Sequence, residues 1–177
     1  MESKDLKMAP IVLVGVPGAG KTTVGKLLAK ELGLEFFDSD QVIEARAGKS
    51  VSDIFTQDGE PAFRQIEHDV IIELLDTSDV VLALGGGSLG NEETRAKVKS
   101  ARAVWLVAGL AQAVDRVGMN RNRPLLLGNV RGQLADLMAA REPLYKEVAA
   151  IGVDTSKLIP SEVVTEIVSE LKKLEMA

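Results

Sequence analysis

Ile11-Val12-Leu13-Val14-Gly15-Val16-Pro17-Gly18-Ala19-Gly20-Lys21-Thr22-Thr23-Val24 is the stretch on which the fold turns. Four apolar residues, long enough for a buried strand, run into a glycine-rich turn. Lys21, Thr23, Val24, Leu27, Leu28 and Leu32 then open an amphipathic helix. Residues 15–22 match G-x-x-x-x-G-K-[ST] at every fixed position. Glycines let the backbone curl until its N–H groups point at phosphate oxygens. The helix start adds the positive end of its dipole. Gly18, Ala19, Gly20, Lys21, Thr22 and Thr23 are therefore the expected nucleotide-binding set. Lys21 is expected to reach the β- and γ-phosphates of ATP, and the Thr22 hydroxyl to ligate Mg²⁺.

Outward from this loop, further apolar runs at 34–37, 80–84 and 103–107, and a weaker one at 150–153, read as strands covered on both faces. Helical patterns fill 21–32, 41–47, 52–75, 92–100, 110–117, 131–148 and 161–174, with Gly48, Gly59 and Pro61 breaking the third into two or three pieces. In the last, Val163, Ile167, Val168, Leu171 and Leu174 recur on one face. Alternation of strand and helix predicts an α/β/α sandwich with right-handed crossovers. With 177 residues and no linker, residues 1–177 read as one domain, residues 1–9 being a flexible tail.

Composition narrows the function. The chain is 46% hydrophobic but only 3% aromatic, so its core is aliphatic. A net charge of −5 with few stacking rings argues against a nucleic-acid partner. Substrate anions must then be held by individual Arg and Lys residues. Absence of cysteine excludes thiol chemistry, and no apolar run approaches a membrane span. A cytoplasmic monomer is expected.

A guanine-reading N-K-x-D motif is missing, which disfavours a nucleotide switch. The 80–84 strand ends in Gly85-Gly86-Gly87 where a Walker-B acid would stand, leaving Asp38-Ser39-Asp40 after the second strand as the source of a metal-side carboxylate. Ligands of open α/β sheets gather at the carboxyl ends of strands, where all three features fall. Three successive glycines are costly in chain entropy, so close backbone approach to a ligand explains them better than a bland loop does.

The loop at 15–22, Asp38-Ser39-Asp40, Phe63-Arg64-Gln65-Ile66-Glu67, Leu84-Gly85-Gly86-Gly87, Arg123-Pro124-Leu125-Leu126 and Arg141-Glu142-Pro143-Leu144-Tyr145 follow one another in an order that resembles the shikimate kinases over nearly the whole chain. The resemblance implies a five-stranded parallel sheet with a mobile lid, about residues 118–130. It also implies transfer of the ATP γ-phosphate to the 3-hydroxyl of shikimate, with Mg²⁺, in aromatic amino acid and chorismate biosynthesis. By the same resemblance Asp40 orients and deprotonates the hydroxyl, while Arg64 and Arg141 clamp the substrate carboxylate with bidentate forks. Asp38 looks like a water-mediated Mg²⁺ holder, and Arg116 like the residue that packs on adenine, with Pro160 over its other face.

Each of these positions also has a plainer reading. Asp40 could cap the helix at 41–47; Asp38 could be a solvated strand-end charge; Arg64, Arg141 and Glu67 could be surface helix charges; Arg116 and Pro160 could be helix surface and helix start. Glu67, one turn after Arg64, is placed to orient its fork. Gly85, Gly86 and Gly87 are candidate substrate contacts, Gly86 and Gly87 as donors. Phe55 and Phe63 could wall the substrate ring or simply fill the core. Arg123, in a polar segment suited to a lid, is placed to meet the transferring phosphoryl group, with Arg121 nearby. His68 reads as structural or exposed and Trp105 as core. A kinase of another small carboxylated acceptor, such as gluconate, is the alternative.

Overall fold

The computed structural model describes residues 7–118 and 129–177. Five parallel strands form one sheet in the order β2-β3-β1-β4-β5, where β1 is Ile11–Val14, β2 Glu35–Asp38, β3 Val80–Ala83, β4 Arg102–Val107 and β5 Ile151–Asp154. Ile11 pairs with Val81 on one side and Arg102 on the other, so β1 lies at the centre. Every residue of β1 and β3 is buried, as their unbroken apolar runs require. The edge strand β5 alternates instead, burying Ile151 and Val153 only.

Eight helices connect and cover the sheet among the described residues: α1 (Lys21–Leu32), α2 (Ser39–Ala47), α3 (Val51–Asp58), α4 (Glu60–Leu75), α5 (Glu92–Lys99), α6 (Leu110–Gly118), α7 (Val130–Val148) and α8 (Pro160–Glu175). A short 3₁₀ turn, Ser88–Gly90, follows the triple glycine. The fold class expected from the alternating pattern is the one found. The long stretch at 52–75 is two helices, and the break falls at Gly59, whose φ of 88° few other residues would adopt. On α8, Val163, Val164, Ile167 and Leu171 are buried, whereas Leu174 is 42% exposed at the helix end.

Caps explain several boundaries. Asp38, Ser50, Asn91 and Asn129 each accept a first-turn N–H with their side chains. α1 has no side-chain cap; Gly20 begins it and no acidic residue lies in its first turn. Its amide dipoles are thus left facing the glycine loop, which suits an anion. Met8 and Ala9, inside the expected tail, are tied down: Met8 N donates to Asp79 Oδ1 at 2.8 Å, and Arg102 Nη2 donates to the Ala9 carbonyl at 2.6 Å. No helix among the described residues is long and apolar enough to cross a membrane.

Candidate active site

The phosphate loop owes its shape to contacts that only glycine permits. Gly18 has φ +82°, and a Cβ there would stand 2.7 Å from the Ala113 carbonyl of α6. Lys21 is buried, and its Nζ donates to the carbonyls of Gly15 at 2.7 Å and Val16 at 3.0 Å. The lysine head is therefore held by the loop it serves. Arg116 of α6 donates from Nη1 to the Gly18 carbonyl at 3.0 Å. It braces the loop as well as lining the cavity beside it, together with Pro160 at the first position of α8.

The acidic pair divides its work. Asp38, not Asp40, caps α2: its Oδ1 accepts from the Asp40 and Gln41 amides at 2.9 and 3.4 Å. The reading of Asp40 as the cap is thereby corrected, because the helix begins at Ser39 and not at Gln41. Asp38 Oδ2 also accepts the Thr22 hydroxyl at 2.7 Å. Two hard oxygens thus meet beside the phosphate loop. Among the described residues no group of three or more histidines and carboxylates could hold a metal by itself. Such a sparse donor set fits Mg²⁺, which keeps several waters and takes its other ligands from phosphates. Ser39 is wholly buried, and its Oγ accepts from the Gly85 amide at 3.0 Å, locking α2 to the glycine turn.

The triple glycine is surrounded by charge. A Cβ on Gly85 would lie 2.9 Å from Asp40 Oδ1 and 3.0 Å from Glu67 Oε2. On Gly86 it would lie 3.0 Å from Arg141 Nη1 and from Pro17 Cδ, and on Gly87 2.6 Å from Arg64 Nη2. A side chain at any of the three would displace these neighbouring groups. Arg64 Nη1 donates to Glu67 Oε1 at 2.8 Å, and Nη2 reaches Glu60 at 3.5 Å. Glu67 is only 3% exposed. Burial pushes its carboxyl up to about 7, with Asp40 adding to the rise and Arg64 and Arg141 opposing it. Burial likewise pulls the Arg141 pKa down. The surface-pair reading of Glu67 is thereby excluded: the residue is buried and fixes the Arg64 fork.

Phe55 and Phe63 pack with ring centroids 4.7 Å apart, and the Arg64 guanidinium carbon lies 5.9 and 5.3 Å from them. Phe63 belongs to the core and both rings line the cavity, so the two readings of Phe63 hold together. His68 Nδ1 lies 2.8 Å from Thr94 Oγ1 and its Nε2 3.4 Å from Glu93 Oε2. Trp105 is half-buried against the core and stacks on Tyr145.

One open cavity of about 1220 Å³ joins these parts. Its lining includes Gly18, Ala19, Gly20, Lys21, Thr22 and Thr23 from the phosphate loop, Asp38 from the end of β2, and Asp40, Arg64, Glu67 and Arg141 from α2, α4 and α7. Gly85, Gly86, Gly87, Arg116 and Pro160 complete the residues expected from the sequence. Arg121 and Arg123, with most of the expected lid, lie outside the described residues. Pro17, Ser39 and Tyr145 were not singled out in the sequence. All three stand inside motifs already quoted, Ser39 between its two aspartates.

Comparison with known proteins bears on the family and the fold. The family model described as shikimate kinase matches residues 17–172. A shikimate kinase from Thermobifida fusca (strain YX) is 50% identical over 160 residues, covering 90% of this chain and 93% of its own. Among solved structures, a shikimate kinase from Acinetobacter baumannii in complex with shikimate has a TM-score of 0.93 at 37% identity, covering 96% of both chains. A gluconokinase from Sinorhizobium meliloti 1021, covering 94% of this chain and 93% of its own, has a TM-score of 0.62 at 20% identity and shares the fold alone. The chain belongs to the shikimate kinase family.

Proposed function

We propose that this protein transfers the γ-phosphate of ATP to the 3-hydroxyl of shikimate, giving shikimate 3-phosphate and ADP. The observation that carries the reading is the single cavity lined by Lys21, Asp40, Arg64 and Arg141. A triphosphate nest, a carboxylate and two guanidinium groups share one space. Phosphoryl transfer asks the protein for little else than positioning and charge neutralisation.

In this reading the uncapped start of α1 and the amides of the loop receive the ATP phosphates, and Lys21 moves from the Gly15 and Val16 carbonyls to the β,γ-oxygens. Arg116 and Pro160 flank the adenine. Arg64 and Arg141 grip the carboxylate of shikimate while Glu67 holds the Arg64 fork in place. The Gly86 and Gly87 amides approach the acceptor, with Phe55 and Phe63 along its ring. Asp40 orients the 3-hydroxyl. As its oxygen bonds to the γ-phosphorus, the bond to the β,γ-bridging oxygen breaks, the hydroxyl proton passes to Asp40, and ADP leaves. Thr22 and Asp38 would hold Mg²⁺, Asp38 through water; when bound, the ion neutralises charge on the phosphates. Arg123 is assigned to the transferring phosphoryl group.

A cytoplasmic monomer is the proposed state, because ATP is available there. Only Leu27, Ile159, Leu174 and Met176 are exposed large apolar side chains among the described residues, too few for a broad interface. The test is a coupled assay of ADP release with shikimate, gluconate and nucleoside monophosphates as acceptors. Release that depends on shikimate is expected. Equal release with gluconate or a nucleotide would reject the reading.

A further inference from the structure

Arg141 and Tyr145 stand four residues apart on α7, so their side chains share one face. Tyr145 is 2% exposed, and its Oη donates to the Gly86 carbonyl at 3.1 Å. Its ring stacks on Trp105 of β4 with centroids 5.9 Å apart. The same glycine is crowded by Arg141 Nη1 and by Pro17 of the phosphate loop, each 3.0 Å from where a Cβ would be. Three elements thus meet at one peptide: α7, the glycine turn and the phosphate loop.

Packing alone does not require this hydroxyl. A phenylalanine would stack on Trp105 equally well. The phenol adds one proton, given to Gly86, and lone pairs that suit the neighbouring guanidinium, a group with donors only. Pro143, between Arg141 and Tyr145, has no N–H to offer the Ala139 carbonyl. The helix is therefore weakened in the turn that carries Arg141, and an outside anchor has something to fix.

We propose that Tyr145 is a positioning residue for the acceptor: its hydroxyl ties the glycine turn to α7 and so sets the gap between that turn and the Arg141 guanidinium. The inference rests on the acceptor site assigned above. Tyr145 does no acid–base work. Burial pushes its phenol up to about 12, against the pull of Arg141, so it stays protonated near neutrality.

The experiment compares wild type, Tyr145→Phe, Arg141→Lys and the double variant. Shikimate affinity is read by calorimetry, kcat and both KM values by coupled assay, and melting temperature by scanning calorimetry. Tyr145→Phe should weaken shikimate binding about tenfold, leave the KM for ATP and kcat within about twofold, and leave the pH profile unchanged. In the Arg141→Lys background it should cost less than about twofold more, because the fork it positions is gone. An unchanged shikimate affinity would overturn the proposal. So would a penalty of equal size in both backgrounds, or a lowered melting temperature with all kinetic constants changed together. Wild type that binds shikimate without releasing ADP would refute the assigned reaction and leave this test intact; wild type that does not bind it would end both.

Discussion

Gly87→Ala isolates the acceptor clamp from the fold. Gly87 has φ −101° and ψ 5°, a conformation open to alanine, so the backbone resists little. The added methyl would stand 2.6 Å from Arg64 Nη2 and 2.7 Å from Nη1, where ordinary contacts begin at 3.4 Å. The guanidinium must therefore retreat by about 0.8 Å, loosening its 2.8 Å bond to Glu67. Misplacement of a positioning group by about 1 Å can cost on the order of a hundredfold. Because a flexible side chain does the moving, we expect a rise of about 10- to 100-fold in the KM for shikimate, or about 1.4–2.7 kcal/mol. The KM for ATP should stay within about twofold and the melting temperature within about 2 °C. Steady-state kinetics with each substrate varied in turn decides it. A shikimate KM equal to that of wild type would refute the assignment of Arg64, and a matching rise in the KM for ATP would show that the damage is not local.

Glu67→Gln tests the buried carboxyl through pH. The folded protein holds this proton more tightly than the unfolded chain, since burial raises the carboxyl from 4.5 to about 7. Wild type should therefore lose stability relative to the Gln variant as pH climbs from about 4.5 to about 7, by about 3 kcal/mol, read from urea unfolding at several pH values; parallel curves would contradict the buried, proton-binding Glu67. Lys21→Ala should lower transfer at least about a thousandfold, as the loss of a preorganised charge at the phosphates implies. It should also cost about 1–3 kcal/mol in unfolding, because the Gly15 and Val16 carbonyls lose their donor. Arg141→Lys keeps the charge and removes the fork, so shikimate should bind about tenfold more weakly with ATP affinity retained in direct titrations; equal affinity would detach Arg141 from the carboxylate.

The parts of this site that depend on backbone were readable in the chain. The spacing from Gly15 to Thr22 announces a phosphate nest because loop curvature and helix start fix it jointly. Apolar runs of strand length located the sheet, though β2 begins at Glu35, one residue later than its run, and closes on the capping Asp38. Side-chain contacts across elements were less legible. Spacing alone puts Glu67 one turn from Arg64, but not beside the glycine turn, 18 residues further along the chain at Gly85. Tyr145 gains its partner only when α7 crosses the carboxyl end of β3. Asp38 and Asp40 were seen as a pair, yet which one caps α2 depends on where the helix starts, and sequence patterns place such ends only to within a few residues.

The central proposition is that a phosphate nest, Asp40 and two arginine forks act on substrates bound side by side. A crystal structure with ADP and shikimate measures this directly. It should show the shikimate carboxylate between Arg64 and Arg141, the 3-hydroxyl within hydrogen-bond reach of Asp40, and the ADP phosphates in the 15–22 loop. Shikimate lodged away from Asp40, or its carboxylate turned from both arginines, would contradict the account.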